Sequence, residues 1–130
     1  RSALWAKLLY VSSWSGLSAL SRSPMGELLS QPELCALVEY SIDEGIAVGK
    51  AMNYNLPNEL KARMWAFYEG LPAETTASMT RDILAGKASE LDAWNGAIVR
   101  FGREVNVATP VHEFTYHTLL PMERRARTNR

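Results

Sequence analysis

The chain has one cysteine, Cys35, among 130 residues. No disulfide can form within it, and no cysteine-rich metal site can be assembled. A lone thiol suits a reducing cytoplasm, and its simplest place is in the core, where free cysteines are common. Charge of one sign is also missing, since 14 basic side chains balance 14 acidic ones. With no net field to draw in polyanions, neither nucleic acid nor an anionic membrane surface is expected as a partner. His112 and His117 stand five apart, on different sides of a helix, and nothing completes a zinc shell around them, so no metal site is expected. No Gly-rich turn joins a strand to a helix, which excludes a dinucleotide fingerprint and a phosphate loop within this chain. Serines are plentiful, yet none sits in a nucleophile elbow.

One stretch, "LWAKLLYVSSWSGLSAL" at 4–20, is long enough to raise a bilayer-spanning reading. Ser12, Ser13, Ser15, Ser18 and Gly16 make it too polar for lipid, and no small-residue cleavage site follows a short apolar core. It reads instead as a buried helix whose small residues let neighbouring backbones approach. The first residues carry no capping signal, which suggests that the sequence is part of a longer protein. The stretch holds a single charge, Lys7. Either the side chain snorkels to solvent from a helix edge, or the ammonium is kept out of water for a purpose.

The remaining pattern is helical nearly throughout. Ser23-Pro24 marks a break before a short turn through Met25 to Leu28, and Pro32 opens a long helix reaching about Met52. A loop covers Asn53 to Pro57. The next helix starts near Asn58, buries Leu60, Met64, Phe67 and Tyr68 or Leu71, and stops near Gly70-Leu71-Pro72. Ser89 is a candidate N-cap, with Glu90 and Asp92 in the first turn where carboxylates suit the helix dipole. Leu91, Trp94, Ile98, Phe101 and Val105 then form one apolar stripe, opposite the small residues Ala93, Gly96, Ala97 and Gly102. Such a two-faced helix is expected to be central. Thr109-Pro110 opens a last helix through Leu120, followed by a solvated basic tail, Arg124, Arg125, Arg127 and Arg130. The fold class is all-α, a single domain of six or seven helices.

"WAKLLYVSSWSGLSAL" followed by "MGELL", and later "TASMTRDILAGKASELDAWNGAIVRFGREVNVATPVHEF", together resemble the C-terminal domain of the ketopantoate reductases (2-dehydropantoate 2-reductases). The match runs in order along nearly the whole chain. It implies the helical architecture shared with 6-phosphogluconate dehydrogenases, and an N-terminal Rossmann domain, absent from this chain, that binds NADP(H). It further implies a 2-keto acid substrate closed between the two domains, reduction of ketopantoate to pantoate on the route to pantothenate, and the possibility of a homodimer. An isolated helical domain is expected to be inactive.

The resemblance also assigns roles. Lys7 corresponds to the lysine that protonates the carbonyl oxygen as hydride arrives, Ser78 to a serine contacting the substrate, and Glu90 to a glutamate at the cleft that meets the cofactor. Asp82 matches an aspartate expected to be structural. An ammonium desolvated on an apolar helix has its pKa lowered from an ordinary value of about 10.4, which makes it a better acid. Ser78 can equally serve as a helix cap, and Glu90 as a favourable first-turn carboxylate. Val11, Ser15 and Met25 stand where family members carry asparagines that reach the substrate. At i, i+4 and i+8, Lys7, Val11 and Ser15 are expected to face one cavity, with Ser15, aided by Ser12 or Ser13, standing in part for the lost amides. Ketopantoate itself is therefore less expected than the hydride-transfer chemistry, and a divergent member serving mainly in dimerisation is the alternative.

Overall fold

The computed structural model describes residues 1–129 and folds them into seven helices, with no strand among the described residues. They are α1 (Ser2–Ser21), α2 (Met25–Ser30), α3 (Pro32–Ala51), α4 (Leu60–Glu69), α5 (Ser78–Leu84), α6 (Leu91–Glu104) and α7 (Pro110–Thr128). The all-α class read from the spacing is the class observed. Proline opens α3 and α7 where its missing N–H costs nothing. Left-handed Arg22 closes α1, with φ at 55°, and its N–H bonds back to the last turn.

The helix enclosed on most sides is α1, which packs against α3, α5, α6 and α7. Residues 12–19 are buried without interruption, serines included. Small side chains make this possible. A Cβ on Gly45 of α3 would overlap Leu9, and one on Gly16 of α1 would overlap Thr115 of α7. Trp5 lies in the same α1–α3 seam and donates from Nε1 to the Gly45 carbonyl at 2.9 Å. The main core joins Trp5, Leu9, Trp14 and Leu17 to Val38, Ile42, Met64, Tyr68 and Ile98. Burying a side chain such as Leu9, which has no exposed surface, contributes roughly 1.5–3 kcal/mol. A smaller cluster holds Ala19, Met79, Ile83, Leu91 and Leu119. The α6 stripe feeds both, with Leu91 and Trp94 in the second cluster and Ile98, Phe101 and Val105 in the first.

Several expectations need correction. Phe67 is 52% exposed, while its neighbour Tyr68 is fully buried and donates its hydroxyl to the Tyr10 carbonyl at 2.7 Å. Cys35 is only half-buried, because the first turns of α3 lie at the domain edge. Glu90, not Ser89, is the N-cap of α6, although the Ser89 hydroxyl still accepts from the Leu91 N–H at 3.2 Å. The last helix does not stop at Leu120 but continues through Pro121 to Thr128. The cause is tertiary. Buried Glu123 accepts from both the N–H and the hydroxyl of Ser89, at 2.9 and 2.6 Å, and pairs with Arg127 at 2.9 Å. Arg127 also donates to the Ser89 carbonyl, so this part of the basic tail is anchored; Arg130 lies outside the described residues.

Candidate active site

The first half of α1 and the start of α6 meet along an open face. Leu4, Lys7, Leu8 and Val11 project from α1, Ala93 and Trp94 from α6, and together they line a groove of about 330 Å³. Ala93 is shared with two neighbouring recesses. One, of about 550 Å³, is walled by Leu4, Trp5, Leu8, Met52, Tyr54 and Phe101 among others. The other, of about 460 Å³, is charged and includes Glu90, Asp92, Tyr116, Arg124 and Arg127. An apolar groove therefore runs into a polar corner around one small residue. Leu4, at 72% exposed, is the most accessible large apolar side chain of the face.

Lys7 is exposed on this face, and no carboxylate among the described residues pairs with it. The burial expected from its apolar sequence surroundings is not supplied by this domain. Of those neighbours Trp5 and Leu9 point into the core, whereas Leu4, Leu8 and Val11 share the open face with the lysine. Glu90 is also exposed and lies one turn before Ala93, so Lys7 and Glu90 each share a recess with the same small residue. Ser78 begins α5 with an exposed side chain that caps nothing; Ala77 is the N-cap. It lines neither recess that holds Lys7 or Glu90. The start of α5 is held instead against a later turn of α1, where the Thr80 hydroxyl donates to the Ser15 carbonyl at 3.0 Å. Ser15 is two turns from Lys7, about 12 Å along the helix.

The expectation that Lys7, Val11 and Ser15 view one cavity holds for the first two only. Ser15 is fully buried, its hydroxyl turned to Met79 Sδ at 3.8 Å. Eight residues on, the helical angle has drifted far enough for α5 to cover it. Ser12 and Ser13 are buried too. Met25 lies in the main core, under a loop that accepts its N–H at the Thr75 carbonyl, 2.9 Å away.

Two polar clusters were not foreseen. At the corner beside Glu90, the Tyr116 hydroxyl donates to Asp92 Oδ1 and Arg100 pairs with the same oxygen at 3.2 Å. The tyrosine's hydrogen bond, with Arg100 beside it, holds the Asp92 carboxyl below its usual range. Deeper in, Glu44 of α3 accepts from the N–H groups of Val111 and His112 at 2.9 and 3.0 Å. It thereby caps α7 in place of Thr109, whose side chain makes no cap bond. Burial pushes the Glu44 carboxyl up, against these two bonds. His112 Nε2 lies 2.9 Å from the Ser41 carbonyl, which can only accept, so Nε2 carries the proton and Nδ1 accepts from Asn95 Nδ2 at 3.2 Å. Complete burial drives the imidazole pKa down to about 4. Glu44 and His112 are 68 residues apart, a separation that no sequence spacing reveals.

The family model described as "Ketopantoate reductase PanE/ApbA C terminal" matches residues 1–123. The chain belongs to this family. The ketopantoate reductase domain is 27% identical over 119 residues to a 2-dehydropantoate 2-reductase of Pyrobaculum aerophilum, covering 92% of this chain and 42% of that protein. It is 35% identical over 109 residues to one from Caulobacter vibrioides, covering 83% and 37%. Its fold superposes on a dimeric ketopantoate reductase from Staphylococcus aureus with a TM-score of 0.88 at 28% identity, covering 96% of this chain and 43% of that one. The domain thus spans about two-fifths of the length of the curated relatives it matches. Among the described residues, no helix is long and apolar enough to cross a membrane.

Proposed function

We propose that this domain supplies the substrate side and the proton donor of an NADPH-dependent 2-keto acid reductase resembling 2-dehydropantoate 2-reductase. The observation that carries the reading is the Lys7 amine, exposed and without a carboxylate partner on a groove whose other five lining side chains are apolar. Reduction of a 2-keto acid adds hydride to C2 and leaves an electron pair on the carbonyl oxygen. The Lys7 ammonium hydrogen-bonds that oxygen, stabilises the developing charge and hands over the proton that completes the hydroxyl. Closure of a second domain over the groove removes water from the amine, which this domain alone does not. Ser78 offers its exposed hydroxyl to the substrate.

The nicotinamide nucleotide supplies the hydride when bound. Its phosphates have no cradle here, since among the described residues no strand leads into a Gly-rich turn and helix, so the preceding Rossmann domain of the full-length protein holds it. Glu90, an exposed carboxylate at the start of α6, fits an acceptor for a nucleotide or substrate hydroxyl, or for Lys7. The lone thiol supports a cytoplasmic setting. A homodimer is part of the same reading, since the Staphylococcus aureus relative is dimeric. A purely dimerising role is not favoured, because Trp5 and Trp14 are buried and Trp65 and Trp94 are half-buried.

The test is Lys7→Ala in the full-length protein. Keto-acid reduction falls by about 10²–10⁴-fold, the usual contribution of a positioned acid, with an unchanged circular dichroism spectrum. An unaltered rate refutes the acid role.

A further inference from the structure

The groove beside Lys7 is short of hydrogen-bonding partners for a ligand. Lys7 is the one charged side chain among the six that line it; the others are Leu4, Leu8, Val11, Ala93 and Trp94, of which only the Trp94 indole N–H can hydrogen-bond. Val11 stands one turn along α1 from Lys7 and lines the groove beside it. The next three serine hydroxyls along α1 do not reach the groove. Ser12, Ser13 and Ser15 are buried in the bundle, and Ser15 is turned to Met79. Met25 is likewise inside, with 1% of its surface exposed.

We propose that the 2-keto acid accepted by this site carries an apolar side chain without a hydroxyl, packed against Leu8, Val11 and Trp94 with its carbonyl toward Lys7. This rests on the reductase reading above and names its substrate class. A single cation with an otherwise apolar wall complements an anionic keto acid whose far end is hydrocarbon. A ligand hydroxyl set against Leu8 and Val11 gives up its bonds to water and finds none from those two side chains in return. An apolar pocket rejects an added hydroxyl only moderately, by up to roughly 10²-fold, so the discrimination expected is about 10- to 100-fold.

The experiment uses the full-length protein with its nucleotide and a matched pair of substrates. Ketopantoate and 3,3-dimethyl-2-oxopentanoate differ only in a terminal hydroxyl against a methyl group. The methyl compound is expected to show the higher kcat/KM, by about tenfold or more. Val11→Asn restores a donor and acceptor at the wall and narrows or inverts that ratio, and calorimetric affinities for the two keto acids move the same way. Val11→Thr, nearly the same shape as valine, shifts the ratio in the same direction and guards against misfolding of the asparagine variant. A wild-type preference for ketopantoate overturns the inference while leaving the reductase reading intact. A ratio that neither variant moves also overturns it, since the wall is then covered by the rest of the protein. Failure to reduce any 2-keto acid removes the reductase reading and this inference together.

Discussion

Acidification from pH 7 to pH 5 is expected to destabilise this domain through His112. Its imidazole pKa is about 4 in the folded chain, against 6.5 for the free side chain. Below pH 6.5 the unfolded chain takes up a proton that the folded chain refuses, so stability is present above the unfolded value and is lost as pH falls toward the folded one. Integrating the difference in proton binding from pH 7 to pH 5 gives about 2 kcal/mol lost, out of about 3 kcal/mol once both forms are protonated. Glu44 works in the opposite direction. Its carboxyl is pushed up from 4.5 by burial, so the folded chain holds that proton more readily, and its contribution rises as pH falls through its folded value. In urea, with a slope of roughly 1–3 kcal/mol per molar for a small domain, the midpoint moves down by about 1 M at pH 5. His112→Gln keeps an amide at the site but cannot titrate; it should start less stable and show a flatter profile between the two values. The reasoning fails if the wild-type midpoint does not fall, or if the glutamine variant falls by as much.

Other outcomes follow from single contacts. Glu123→Ala removes the acceptor that holds the Ser89 N–H and hydroxyl and the pair with Arg127, so amides after Pro121 should lose hydrogen-exchange protection while α1 and α3 keep theirs; even loss of protection across the chain would contradict the anchoring role. Gly45→Ala puts a methyl group into Leu9 and is expected to cost about 1–3 kcal/mol, the usual penalty for overpacking, a figure that denaturant unfolding would check. Gly86, with φ at 73° and open space where a side chain would stand, is the control: Gly86→Asn, able to take up the left-handed backbone, should stay within about 0.5 kcal/mol, the range of ordinary surface changes.

The amino-acid order alone determined the helical class, most helix boundaries and the family, because those depend on neighbours in the chain: proline at Pro32 and Pro110, the α6 stripe from Leu91 to Val105, and the colinear motifs around Lys7 and Asn95. Tertiary structure decided the rest. Lys7 and Ser15 lie on one helix eight residues apart, yet α5 covers Ser15 and leaves Lys7 open, since which side of α1 is roofed depends on a segment more than sixty residues later. The extension of α7 past Pro121 hangs on Glu123 reaching Ser89, and its start hangs on Glu44 supplying acceptors from α3. Local propensity reads a proline or a threonine one turn at a time. It does not see a carboxylate that folding delivers to a helix end from elsewhere in the chain.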